Sequence, residues 1–222
     1  MKKSYKAGIW AIIVAIPALV LLFLYVFGKN YYTLPVYYAT DSVKVGGHYK
    51  ITAAHSIPPF YFRNQNNKIF NSDTLNGKFY VADFFFTRCP GICPKMTNNL
   101  SRVQETFREE KDFRIVSFTV DPKNDTVAAL KNYATQYKAD PAIWNFLTGT
   151  KDSLYTLAQK GFFLSAMEDE KPAEFIHSDK LVLVDKSGRI RGYYNGTDKE
   201  DVDRLIREIQ VLIYSYEHEQ NN

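Results

Sequence analysis

Two residues of this chain carry chemistry that depends on spacing. Cys89 and Cys93 are its two cysteines, and three residues separate them in Thr87-Arg88-Cys89-Pro90-Gly91-Ile92-Cys93-Pro94. Thiolates bind soft metal ions and exchange disulfides, so a pair at i and i+4 has two uses. If the first turn is helical, both sulfurs fall on one face, close enough to share an ion or to form a disulfide. Dithiol redox motifs use a spacing of two, so this one leans toward metal and leaves redox work open. A stabilising disulfide is the third reading, although so short a loop gains little entropy from closure.

The elements on either side place the pair. Residues 79–86 (FYVADFFF) read as a buried strand rich in aromatic side chains. After it, Cys93, Met96, Leu100, Val103 and Phe107 recur at helical spacing, which predicts an amphipathic helix to about residue 109. The cysteines therefore stand where a strand ends and a helix begins. In an open α/β sheet ligands gather at that end, and a helix N-terminus favours thiolate over thiol.

The remaining pattern fills in the sheet. Residues 60–70 read as a hairpin around an Asn-rich turn, 113–120 and 144–148 as strands, and 151–160 as a helix. Pro122 forces a turn, after which Asp125 or Asn124 is positioned to cap a helix over 126–137. An acid-rich loop, 167–174, leads to Phe175-Ile176-His177-Ser178. Strands at 181–185 and 189–194 flank a Lys-Ser-Gly turn, and a final helix over 199–216 carries an apolar stripe. This order implies a mixed β-sheet with helices on both faces.

The N-terminus is of another kind. Three lysines in the first six residues precede an uncharged run, 7–27. At about 1.5 Å per residue it reaches roughly 30 Å, the thickness of a bilayer core. With no small-residue cleavage pattern after it, the run reads as an uncleaved transmembrane helix, and Pro17 is tolerable within lipid. The lysines put the N-terminus in the cytosol and the rest beyond the cytoplasmic membrane, where thiols meet oxidising conditions. The expected organisation is a short tail and single-pass anchor at 1–28, a linker at 29–47, one domain at 48–217 and a polar tail at 218–222. A formal charge of only +4, scattered along the chain, excludes nucleic acid as the expected partner.

A cysteine pair after the first central strand of such a sheet resembles the thioredoxin superfamily, and three motifs narrow the match. Residues 85–94 resemble the T-x-C-P-x-x-C-P signature of the Sco/SenC proteins. Residues 118–126, with Asp121, Pro122, Asp125 and Thr126, resemble that family's T-V-D-P-x-x-D-T segment, and His177-Ser178 resembles its D-H-S segment. The likeness covers about residues 55–215. Two positions depart from it: Gly91 and Ile176 stand where the family often has Asp.

The resemblance implies a thioredoxin-like, membrane-anchored metallochaperone with copper held by Cys89, Cys93 and His177. It implies as partners a copper donor, a thiol reductant and the cytochrome c oxidase subunit that carries the copper centre. Two thiolates and an imidazole suit copper(I) and accept copper(II); zinc would accept them too, so copper rests on the resemblance. The alternative is a thiol–disulfide oxidoreductase using Cys89 and Cys93 without metal. A peroxidase-like thiol enzyme is weaker, with Arg88 and Thr87 its local activating candidates. Asp83 shares a strand face with Val81 and Phe85, and reads either as a proton acceptor for the thiols or as a strand-edge carboxylate bonded to backbone or lysine. Asp121 and Asp125 read as turn and cap residues, and Met96 as core.

Overall fold

A computed structural model describes residues 4–27, 34–45, 48–164 and 178–219. The chain divides into two compact units, Met1–Thr33 and Leu34–Asn222. The first holds α1 (Ser4–Phe27), with Pro17 inside it. The side chains described on α1, residues 12–23, are exposed all round the helix. They cover only about 18 Å of axis. Among the described residues no helix is long and apolar enough to cross a membrane, so the expected anchor is not shown by this unit.

The second unit begins with a hairpin of its own, β1 (Ala39–Val45) paired antiparallel with β2 (His48–Ala54). It occupies much of the stretch expected to be a linker. Ala39, Thr40, Asp41, Thr52 and Ala53 are exposed and Ala54 is half-buried, so among the side chains described on these strands there is no buried face, and no hydrophobic alternation betrays them.

The main sheet is built from β3 (Tyr61–Asn64), β4 (Ile69–Asn71), β5 (Phe79–Phe85), β6 (Phe113–Thr119), β7 (Trp144–Thr148), β8 (Lys180–Val184) and β9 (Ile190–Asn195). Its order is β4-β3-β7-β6-β5-β8-β9. β5, β6 and β7 run parallel, and the outer strands pair antiparallel. β5 is buried on both faces, which is why its sequence is a continuous apolar run rather than an alternation.

Helices cover both faces, as expected. Phe79, Val81, Phe85, Ile115 and Phe146 pack with α2 (Ile92–Thr106), α3 (Val127–Gln136) and α5 (Lys199–Glu219). Tyr80, Ala82, Phe84, Val116 and Phe118 pack with α4 (Lys151–Thr156) and the π-type turn Leu157–Gly161 that continues it. Met96 lies fully buried in the first of these clusters, a core residue as its helical spacing implied.

The chain enters this domain through a strap on β9. Leu34 is buried in the core, and the Tyr37 N–H donates to the Ile190 carbonyl at 2.9 Å. The Arg191 guanidinium donates to the carbonyls of Pro35 (2.9 Å) and Leu34 (2.5 Å) and to Asp185 Oδ2 (3.0 Å). Asp185 is buried and also takes Arg189, so its charge is neutralised inside the fold.

Candidate metal centre

β5 ends at Phe85, and the chain turns through Phe86 to Gly91 before α2 begins at Ile92. The Cys89 N–H closes the turn on the Phe86 carbonyl at 3.2 Å. Gly91 occupies the cap position of α2 and offers no side chain to the free N–H groups there. Cys89 does so instead: its Sγ accepts from the Cys93 N–H at 3.5 Å. Nothing lies within 4 Å of where a Cβ on Gly91 would sit, and its φ of −118° suits any residue. The family's Asp would therefore fit, and its absence leaves the helix end to the sulfur.

Both cysteines are free and buried, with Cys93 the deeper at 3% exposed against 8% for Cys89. Their acidities diverge. Burial alone would raise the Cys89 thiol, but hydrogen bonds from the Cys93 backbone and side chain and from the N–H groups of Gly91 and Ile92 outweigh it. The net shift is below the ordinary thiol value. Cys93 is pushed well above that value, first by burial, then by its bond to Cys89 and by the charges of Cys89 and Asp83; a hydrogen bond with the Phe86 backbone opposes this only in part.

Asp83 is buried on β5, facing the α2 side as its alternation with Val81 and Phe85 implied. It is not a strand-edge carboxylate bonded to backbone or lysine. β5 is central, and the Ser117 hydroxyl donates to Asp83 Oδ1 at 2.5 Å, while Trp144 Nε1 donates to Ser117 Oγ at 2.8 Å. Burial raises its carboxyl to about 7 against the lowering effect of Ser117.

Neither Asp125 nor Asn124 caps α3 as the sequence led one to expect. Thr126 caps α3, its hydroxyl accepting from the Ala129 N–H. Asp125 is fully buried and reaches back 38 residues to the Thr87 N–H and hydroxyl. Asp121 takes the Arg88 guanidinium at 2.9 Å; bonds from Arg88 and Asn124 hold its carboxyl below the usual range although burial alone would raise it. Thr87 and Arg88 are thus both occupied, which weighs against a peroxidase-like role for them. The sequence signal for this brace was the 118–126 motif itself.

Among the described residues no group of three His, Cys, Asp or Glu side chains stands close enough to hold a metal ion. His177 lies outside the described residues. His55 is turned elsewhere: its Nε2 pairs with the Gly161 carbonyl at 2.8 Å and its ring packs on Phe163. His218 pairs with the Tyr214 carbonyl on α5. A cleft of about 230 Å³ lined by Ser56, Phe60, Ser72, Tyr80 and Ser187 lies toward the start of β5, at the opposite end of the strand from Cys89, and takes no part in this site.

A model of the SCO1/SenC family matches residues 49–213. The chain belongs to the SCO1/SenC family. Among Sco relatives, the SCO1 protein homolog of Bacillus subtilis (strain 168) is 35% identical over 158 residues, covering 70% of this chain and 82% of its own length. The crystal structure of a SCO1/SenC family lipoprotein from Bacillus anthracis str. Ames superposes with a TM-score of 0.63 at 31% identity, over 72% of this chain and 95% of that one. The structure of BsSco, a member of the Sco family of cytochrome c oxidase assembly proteins in which a disulfide switch has been identified, gives 0.61 at 34% identity, over 71% and 93%. The mixed sheet with helices on both faces is thus the thioredoxin-like Sco fold, and its cysteine turn lies at the carboxyl end of β5, where such sheets gather ligands.

Proposed function

We propose that this Sco protein receives copper, holds it at Cys89, Cys93 and His177, and passes it by ligand exchange to the cytochrome c oxidase subunit that carries the copper centre. The observation that carries the proposal is the free thiol pair at the start of α2, with Cys89 Sγ already turned to the Cys93 N–H. Thiolate sulfur with an imidazole matches the softness of copper(I) and still accepts copper(II). A relative from Stutzerimonas stutzeri, 32% identical over 159 residues, is named for copper binding. For His177 the support is topological. Ser178 is buried, and β8 begins at Lys180, two residues before the Ala82–Val182 pairing and toward the cysteine end of β5.

The thiol–disulfide reductase is the second reading, favoured by the split acidity of the two thiols and by the disulfide switch named for BsSco. His177→Ala separates the two. Copper(II) affinity should fall by more than the roughly 10–100-fold that groups behind the ligands contribute to metal sites. Copper(I) should suffer less, because two thiolates still hold the softer ion, and dithiol exchange rates should stay as they are. Competition titrations with both ions, beside a reductase assay, check this. Unchanged copper(II) binding would end the three-ligand reading.

Residues 1–28 serve in this proposal as a single-pass anchor in the cytoplasmic membrane, N-terminus in the cytosol and the domain outside. Support comes from the uncharged run 7–27 behind Lys2, Lys3 and Lys6, and from the apolar side chains of Ile12 to Phe23, exposed on every side of α1. A helix apolar all round needs lipid or protein to cover it. The intact chain should stay with membranes through an alkaline wash; recovery in the supernatant would overturn the anchor.

A further inference from the structure

The copper-binding reading leaves open what holds Cys89 in place, and the following inference rests on that reading. Asp125 is 0% exposed, and among the described residues it forms no ion pair. Its oxygens accept from the Thr87 N–H at 3.2 and 3.3 Å, from the Thr87 hydroxyl at 2.5 Å and from the Thr119 hydroxyl. The Thr119 hydroxyl also accepts from the Asp121 N–H at 2.9 Å, and Asp121 binds Arg88. One loop after β6 therefore grips both residues that precede Cys89.

A carboxylate buried without a cation is costly, and it persists only where several donors converge on it. Capping α3 does not account for it, since Thr126 does that. Closing its own loop accounts for only part of it: the backbone N–H of Asp125 donates to the Asp121 carbonyl at 2.9 Å and its side chain takes the Thr119 hydroxyl, while its remaining contacts reach Thr87. Beyond that loop, the side chain supplies the fixed position of Thr87, two residues before Cys89. That position determines where Cys89 Sγ lies relative to the end of α2.

We infer that Asp125 is a positioning residue for Cys89. It locks the turn at residues 87–89 so that the sulfur faces the α2 N-terminus before copper arrives. Metal sites lose about 10–100-fold in affinity when the groups that orient their ligands are removed.

The test compares the full-length wild type in detergent with Asp125→Asn, Thr87→Val and Leu212→Ala. The last removes packing from a buried position on α5 and controls for simple destabilisation. Two quantities are read below each protein's melting temperature: the sulfur-to-copper(II) absorption band with its competition affinity, and the rate of Cys89 alkylation by iodoacetamide in reduced, metal-free protein. Asp125→Asn and Thr87→Val should each weaken copper(II) by about 10–100-fold, move the band and change the alkylation rate. Leu212→Ala should lower the melting temperature and leave both quantities alone. Folded Asp125→Asn and Thr87→Val with wild-type affinity, band and alkylation rate would overturn the inference, as would identical changes in Leu212→Ala. Should Asp125→Asn not fold, Thr87→Val decides the matter by removing the hydroxyl donor from the other side of the contact. A wild type that takes up no copper would refute the copper reading, while the alkylation rates would still decide on Asp125.

Discussion

Replacing Cys93 with serine in the full-length protein should abolish copper(I) retention against a competing chelator, yet leave Cys89 open to alkylation. Replacing Cys89 should also abolish retention and leave a thiol that hardly reacts. The asymmetry follows from placement. Cys89 Sγ accepts the Cys93 N–H at the uncapped end of α2 and is held below the usual thiol range. Cys93 sits deeper, and burial pushes it far above that range. The reduced wild type should therefore label in two phases, Cys89 first. In the proposed three-ligand site copper displaces the proton from Cys93, so uptake should release protons and strengthen as pH rises. Mass spectrometry of the labelled chain, with copper competition at two pH values, measures both. Equal labelling rates, or copper retained by either single variant, would refute the assignment.

How much of this was legible beforehand depends on how local the cause is. The central strands declared themselves because β5 and β6 are buried on both faces, and α2 because Cys93, Met96, Leu100 and Val103 share one stripe. The β1–β2 hairpin buries no face that has been described, so it left no periodicity to find. At the site, the pairing Asp83↔Ser117 is a matter of strand register, which residue types do not reveal. The expected cap, Asp125 or Asn124, gave way to Thr126 on geometry too, because all three residue types cap helices well. Only the fold shows that Asp125 spends its oxygens on Thr87. The cysteine pair was legible as chemistry; the brace that positions it was legible only as a motif.

Asp83→Asn should make the protein more stable at pH 8 and change it little near pH 4. Asp83 is 1% exposed, and the hydrogen bond its side chain takes comes from a neutral hydroxyl, so the fold holds its charge poorly and raises its carboxyl to about 7. In the unfolded chain an aspartate titrates near 3.9. Between about pH 4 and 7 the unfolded state has lost a proton that the native state keeps, so stability falls by about 1.4 kcal/mol per pH unit. The contribution is fully present below about pH 4, is lost as pH rises through 7, and changes no further above that. The loss by pH 8 sums to about 4 kcal/mol, which an asparagine that cannot ionise avoids. The Ser117 hydroxyl can donate to the asparagine oxygen as it does to Asp83. Denaturant midpoints of reduced, metal-free protein at pH 5 and pH 8 measure the difference, and an equal gap between variant and wild type at both would refute it. Function gives a reason to keep so costly a residue. The negative charge of Asp83 opposes ionisation of Cys93, and a carboxylate near neutrality is suited to accept the proton that Cys93 loses when metal binds. The stabilised Asp83→Asn variant should therefore take up copper more slowly than wild type, by a route that stability alone would not predict.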